Sequence, residues 1–174
     1  MTTHPVGSPA HSAGDGSRKH WLAAAAEGAF TSGDEGRGAS GFAACALEGE
    51  PQAVPGAREF IRSTLDGWGM AALCDDAAVV GSELLGNALR HGLTGCGERP
   101  LSPHPIWLGL LRRGDTVLCA VSDPSPETPC LRAPDDLATS GRGLRVVDCL
   151  SDSWGWTEPD VVGKAVWAVV SGNV

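Results

Sequence analysis

The sequence predicts an α+β fold, a two-layer α/β sandwich in which helices cover one face of a mixed, mostly antiparallel sheet. Apolar residues recur at helical spacing in two stretches of the first half. In the second half they alternate at period two, and short turns join neighbouring strands as hairpins. Hairpin connections argue against a doubly wound parallel sheet, whose strands need a crossover between them.

Residues 1–40 are rich in Gly, Ser, Ala, His and Thr and poor in large apolar side chains. Such a segment buries too little surface to offset its ordering entropy and is expected as a disordered tail, with a transient helix at most over Trp21 to Phe30. One ordered domain is expected over residues 41–174. Phe42 to Leu47 reads as its first strand. Val54, Ala57, Phe60, Ile61, Leu65 and Trp68 then mark a helix, with Pro55 near its start and Gly67 and Gly69 at its end. Ala72 to Arg90 is a longer helix, carrying Asp75 and Asp76 in the turn where acidic side chains complement the helix dipole. A loop through Gly92, Gly95, Gly97 and Pro100 leads to strands at Pro105 to Arg112 and Thr116 to Ser122, joined by Arg113-Gly114-Asp115. Pro124 to Thr139 holds four prolines and no periodicity, which marks a long loop. Gly141 to Leu150 reads as a helix entered through glycines, before a second hairpin with strands at Ser153 to Thr157 and Lys164 to Ser171.

Composition narrows the function classes. The 174 residues suit one domain, and 42% hydrophobic residues suffice for one core. A net charge of −8 and a pI near 5.0 argue against electrostatic capture of nucleic acid or an anionic membrane. No apolar run approaches the roughly 20 residues that span a bilayer. Met1 to Gly16 lacks the basic and apolar regions of a secretory signal, so the cytoplasm is the expected compartment. The six cysteines are widely spaced without a C-x-x-C pair, the wrong pattern for zinc, and are expected as free, mostly buried thiols.

Three segments carry chemistry. Glu83, Asn87 and His91 recur every fourth residue among apolar neighbours, which on a helix makes a polar stripe beside a buried face. An Asn oxygen is a hard ligand suited to Mg²⁺. Asp123 ends an apolar strand, where a carboxylate can accept from an exocyclic amine. Gly141-Arg142-Gly143-Leu144 opens a helix, and a glycine-rich helix start offers backbone N–H groups and a positive dipole end to phosphate.

With Glu83-Leu84-Leu85-Gly86-Asn87-Ala88-x-x-His91-Gly92, Val121-x-Asp123-x-Ser125-Pro126 and Gly141-Arg142-Gly143-Leu144 in this order, the chain resembles the GHKL (Bergerat-fold) ATPase superfamily. That superfamily holds gyrase-type ATPases, histidine-kinase catalytic domains and bacterial anti-sigma-factor serine kinases. The resemblance covers about residues 42 to 173 and is strongest to small stand-alone anti-sigma-like proteins. Leu150-Ser151-Asp152-x-Trp154-Gly155-Trp156 and Gly163-Lys164-x-Val166-Trp167 reinforce it.

The resemblance implies ATP and Mg²⁺ as cofactors. Asn87 would hold the Mg²⁺, Glu83 would be the general base, and Asp123 would hold the adenine amine. Gly141, Arg142, Gly143 and Leu144 would form the phosphate end, the loop from Asp123 to Gly141 would be the lid, and His91 would lie beside it. The implied activity is transfer of the γ-phosphate to a serine or threonine of an anti-anti-sigma-type protein, with a sigma factor as a further partner and a homodimer compatible with the resembling kinases. The alternatives are a non-catalytic ATP-dependent partner-switching module and, less favoured, an orphan histidine-kinase catalytic domain, since His4, His11 and His20 lie in the expected tail. Two departures stand out. Asp123-Pro124-Ser125-Pro126 replaces the Asp-x-Gly-x-Gly of gyrase-like members, and Ala165 stands where many members carry a Thr near the adenine. Lys164 reads as a solvated strand residue.

Overall fold

A computed structural model describes residues 20–30, 40–93, 105–129, 142–160 and 163–172. In chain order they form α1 (His20–Ala29), β1 (Gly41–Leu47), α2 (Ala53–Gly67), α3 (Cys74–Asn87), β2 (Ile106–Arg113), β3 (Thr116–Asp123), α4 (Arg142–Leu150), β4 (Ser153–Trp156) and β5 (Lys164–Ser171). The five strands make one sheet in the order β1-β2-β3-β5-β4, and the α+β class expected from the sequence stands. Each pairing is antiparallel, so the described sheet holds no parallel pair where a mixed sheet was expected.

Strand alternation sorts the sheet residues between two cores. Ile106, Leu108 and Leu110 of β2, Val117, Cys119 and Val121 of β3, and Val166, Ala168 and Val170 of β5 face α2 and α3. There they meet Ala57, Ile61 and Leu65 at helical spacing on α2, and Ala77, Val80 and Leu84 on α3. Close seating of the two helices depends on small residues. A side chain on Gly81 of α3 would collide with Ile61 Cδ1, and Ser82 Oγ accepts from Arg58 Nε at 2.7 Å across the same interface. The exposed Arg62–Asp75 pair at 3.2 Å adds little, being open to solvent.

The opposite face carries the main difference from the sequence expectation. Leu118, Ala120, Ala165, Trp167 and Val169 would leave an apolar sheet face open, but α1 covers it with Trp21, Leu22, Ala25, Ala26 and Ala29. Leu22 and Ala25 are buried. His20–Ala29 is therefore a packed helix rather than tail, and helices lie on both faces of the sheet. The physical reason is that alanine resists helix formation least, while the i, i+4 pair formed by Leu22 and Ala26, flanked by Trp21 and Ala25, supplies an apolar stripe once a surface exists to receive it. Residues 1–19 and 31–39, the rest of the expected tail, lie outside the described residues.

Four of the six cysteines are described, and all four are free. Burial pushes the Cys119 thiol up to about 12 and Cys45 to about 11, whereas Cys149 on α4 is exposed, against the expectation of mostly buried thiols. No helix among the described residues is long and apolar enough to cross a membrane.

Two outcomes test this packing. Leu22→Ala is expected to cost about 2–5 kcal/mol in denaturant unfolding, as for a core leucine, whereas a residue in a tail would cost nothing measurable. Brief alkylation of the folded protein followed by peptide mapping should modify Cys149 and leave Cys119 untouched until the chain unfolds, because the thiolate is the reactive form.

Candidate functional site

The register between β3 and β5 sets one end of the site. Asp123 ends β3 and Lys164 begins β5, directly opposite each other. By parity both fall on the face that carries Val121 and Val166, toward α2 and α3. Lys164 Nζ donates to Asp123 Oδ1 at 2.8 Å and Oδ2 at 3.1 Å, and to the Ser125 carbonyl at 3.2 Å. The two side chains are only 5% and 3% exposed. Lys164 is thus a buried ion-pair partner, not the solvated residue that its charge suggested. The Ser125 N–H donates to Asp123 Oδ1 at 2.9 Å, an Asx turn that folds the Asp-Pro-Ser-Pro segment back over the carboxylate. Burial raises the Asp123 carboxyl above its ordinary range, opposed by the Lys164 bond and charge and by the Ser125 N–H.

Helix α3 supplies the other end. Glu83 and Asn87, one turn apart, lean against the first turn of α4: a Cβ on Gly143 would lie 2.5 Å from Glu83 Oε2 and 3.5 Å from Asn87 Oδ1. Only glycine leaves that approach open. It sets the Glu83 carboxylate at the positive end of α4, where a negative charge is favoured. Asn87 Oδ1 accepts from Arg90 at 3.0 Å, while its buried Nδ2 has no hydrogen-bond partner. A buried amide N–H without an acceptor costs about 1–3 kcal/mol, which an anionic oxygen at that point would remove.

Beyond Asn87 the helix widens into a π-helical turn, Ala88–Gly92. The α-helical i+4 repeat does not carry through such a turn, and His91 is exposed at its end rather than continuing the expected stripe. The same turn brings Gly92 against Asp123, where an added Cβ would lie 2.5 Å from Cγ and 2.7 Å from Oδ1. The three sequence segments therefore meet: Gly92 on Asp123, and Gly143 on Glu83 and Asn87. Arg142 is exposed at the start of α4, and Leu144 is buried. Gly141 and most of the expected lid lie outside the described residues.

The residues at the α3–α4 end fit a metal-bound phosphate. Asn87 offers an oxygen ligand and an orphaned donor, one turn from the Glu83 carboxylate that lies against the start of α4. Among the described residues no three His, Cys, Asp or Glu side chains cluster to hold a metal, so a cation at Asn87 would draw its other ligands from phosphate and water. At the Asp123 end the fit to an adenine amine is narrower, because three of about four acceptor positions on the carboxylate are already used. Ala165 turns to the α1 face and does not stand beside Asp123's carboxylate.

Sequence reasoning missed Lys164 and Arg90. Arg90 had a local signal, since it lies three residues after Asn87 on a helix. Lys164 had none until β3 and β5 were paired.

No family model and no curated protein matches the sequence. Among solved structures, the fold is similar to that of "the RsbU and RsbW domains of Rv1364c from Mycobacterium tuberculosis", with a TM-score of 0.55 and 17% identity. The match covers 76% of this chain and 32% of that one, so this chain spans about a third of its length. The likeness is one of fold.

A buried ion pair is most costly when broken on one side. Asp123→Ala is expected to lower stability by about 3–5 kcal/mol, and adding Lys164→Met to recover much of that loss, as measured by a double-mutant cycle in urea.

Proposed function

We propose that the chain is an ATP-binding partner-switching regulator of the anti-sigma-kinase type, which passes the γ-phosphate of ATP to a serine or threonine of an anti-anti-sigma-type protein and takes a sigma factor as its other partner. The observation that carries this reading is the convergence of Glu83 and Asn87 on Gly143 at the start of α4, together with the buried Asn87 Nδ2 that has no hydrogen-bond partner. The fold shared with a protein that contains RsbU and RsbW domains supports it, as does the order of the three sequence segments.

Each residue then has a task. Asn87 Oδ1 would hold the cation, and its unpartnered Nδ2 would donate to a phosphate oxygen. The missing side chain at Gly143 brings the Glu83 carboxylate to the start of α4, and Arg142 beside it would add positive charge for the phosphates. Glu83 takes the proton from the attacking hydroxyl. Bound Mg²⁺-ATP supplies the transferable phosphoryl group and compensation of its charge. A second reading, ATP-gated binding without transfer, is favoured by one detail: Glu83 already has a structural partner in the positive end of α4.

The two readings part on two variants. Asn87→Ala is expected to abolish Mg²⁺-ATP binding in calorimetry. Glu83→Ala is expected to keep binding and lose at least about a hundredfold in phosphate transfer to a partner, within the usual reach of general-base catalysis. Equal transfer by Glu83→Ala and wild type would remove Glu83 as the base. A wild-type protein that binds Mg²⁺-ATP and phosphorylates no partner supports the second reading, and one that binds no Mg²⁺-ATP overturns both.

A further inference from the structure

The cation position at Asn87 is already taken by a positive charge from within the chain. Arg90 Nη2 donates to Asn87 Oδ1 at 3.0 Å, and that oxygen is the atom a divalent cation would need. The guanidinium lies over Gly86, where a Cβ would stand 3.3 Å from Nη1 and 3.4 Å from Nη2. The missing side chain at Gly86 thus lets Arg90 rest on the helix beside Asn87. Arg90 belongs to the widened turn Ala88–Gly92 and is exposed. Unlike the Asp123–Lys164 pair, the contact lies at the surface, where a solute can meet it.

We infer that Arg90 stands in for the divalent cation, so that the site also takes metal-free nucleotide polyphosphate. The guanidinium then bridges Asn87 Oδ1 and a phosphate oxygen. The inference rests on the nucleotide reading of the site and widens its ligand class. Its bond to Asn87 takes one of the five guanidinium N–H groups, and a phosphate can accept from others at the same time. Polyphosphate without a metal is strongly anionic, and the chain has a net charge of −8, so such a site must bring its own positive charge. Arg142 at the start of α4 is exposed as well. General charge is therefore available from two arginines, and the bond to Asn87 is what distinguishes Arg90. A divalent cation and a guanidinium on one oxygen would repel each other, so Arg90 yields Oδ1 when the nucleotide arrives with Mg²⁺.

Calorimetry with ATP, once with Mg²⁺ and once with EDTA, tests this. Wild type is expected to bind ATP in EDTA within about a hundredfold of its affinity in Mg²⁺. Arg90→Met keeps the length of the stem and removes the charge, and is expected to widen that ratio by at least about tenfold. Arg142→Met is expected to change the ratio less, because its charge does not stand at the cation position. Thermal unfolding shows whether each variant is folded, and for one that is not, the wild-type ratio decides. The inference is overturned if wild type loses more than about a hundredfold in EDTA, if folded Arg90→Met leaves the ratio unchanged, or if Arg142→Met widens it as much. Loss of binding in EDTA with Mg²⁺-ATP binding intact sinks the inference and leaves the nucleotide reading standing; failure to bind ATP under either condition removes both.

Discussion

A slip of β5 by one residue against β3 would turn Val166, Ala168 and Val170 away from α2 and α3, and would send Ala165, Trp167 and Val169 in among the helices. Both faces of these strands are buried under helices, so both resist the slip. The same parity sets Asp123 opposite Lys164 on the α2–α3 face. An ion pair at the end of a sheet is thus a by-product of the register that packs two hydrophobic cores. The candidate site depends on the sheet for its Asp123 end and on α3 for its Glu83–Asn87 end.

Those two ends are built on opposite principles. At the α3–α4 end the structure leaves something out: Gly143 has no side chain, and Asn87 Nδ2 has no partner. At the Asp123 end almost everything is satisfied, with Lys164, Ser125 and Gly92 gathered on one carboxylate. A buried ion pair is weak evidence for stability, because desolvation consumes most of the Coulomb attraction. A pair of hydrophobic residues could pack the same two positions at no greater cost, so what the ion pair adds is a fixed partner for each strand end rather than net stability.

What the sequence makes legible divides along the same line. Glu83 and Asn87 are readable because a helix keeps residues four apart on one face, and Gly143 because a glycine at a helix start has a local meaning. Asp123 is readable from its place at the end of an apolar run. Lys164 is not, because its charge predicts solvent and only the non-local pairing of β3 with β5 puts it in the interior. Ala165 misleads for the same reason: one position along a strand is the other face of the sheet. His91 was expected to extend a stripe that holds only while the helix stays α, and the widened turn at Ala88–Gly92 ends it.

Helix α1 was hidden by a different kind of non-locality. An Ala-rich segment has the propensity to be a helix but no surface of its own to bury against, so its ordering depends on a sheet face assembled from residues about 90 to 150 positions later. Its docking is imperfect: the Trp167 indole N–H beneath Gly28 is buried with no acceptor. An unmet donor of that kind costs about 1–3 kcal/mol, a sizeable fraction of what a helix of this length gains by burying Leu22 and a few alanines. The α1 cover also buries fewer side chains than α2 and α3 do on the opposite face. Of the two cores this sheet supports, the larger lies under α2 and α3, and it is also the one that positions the candidate site.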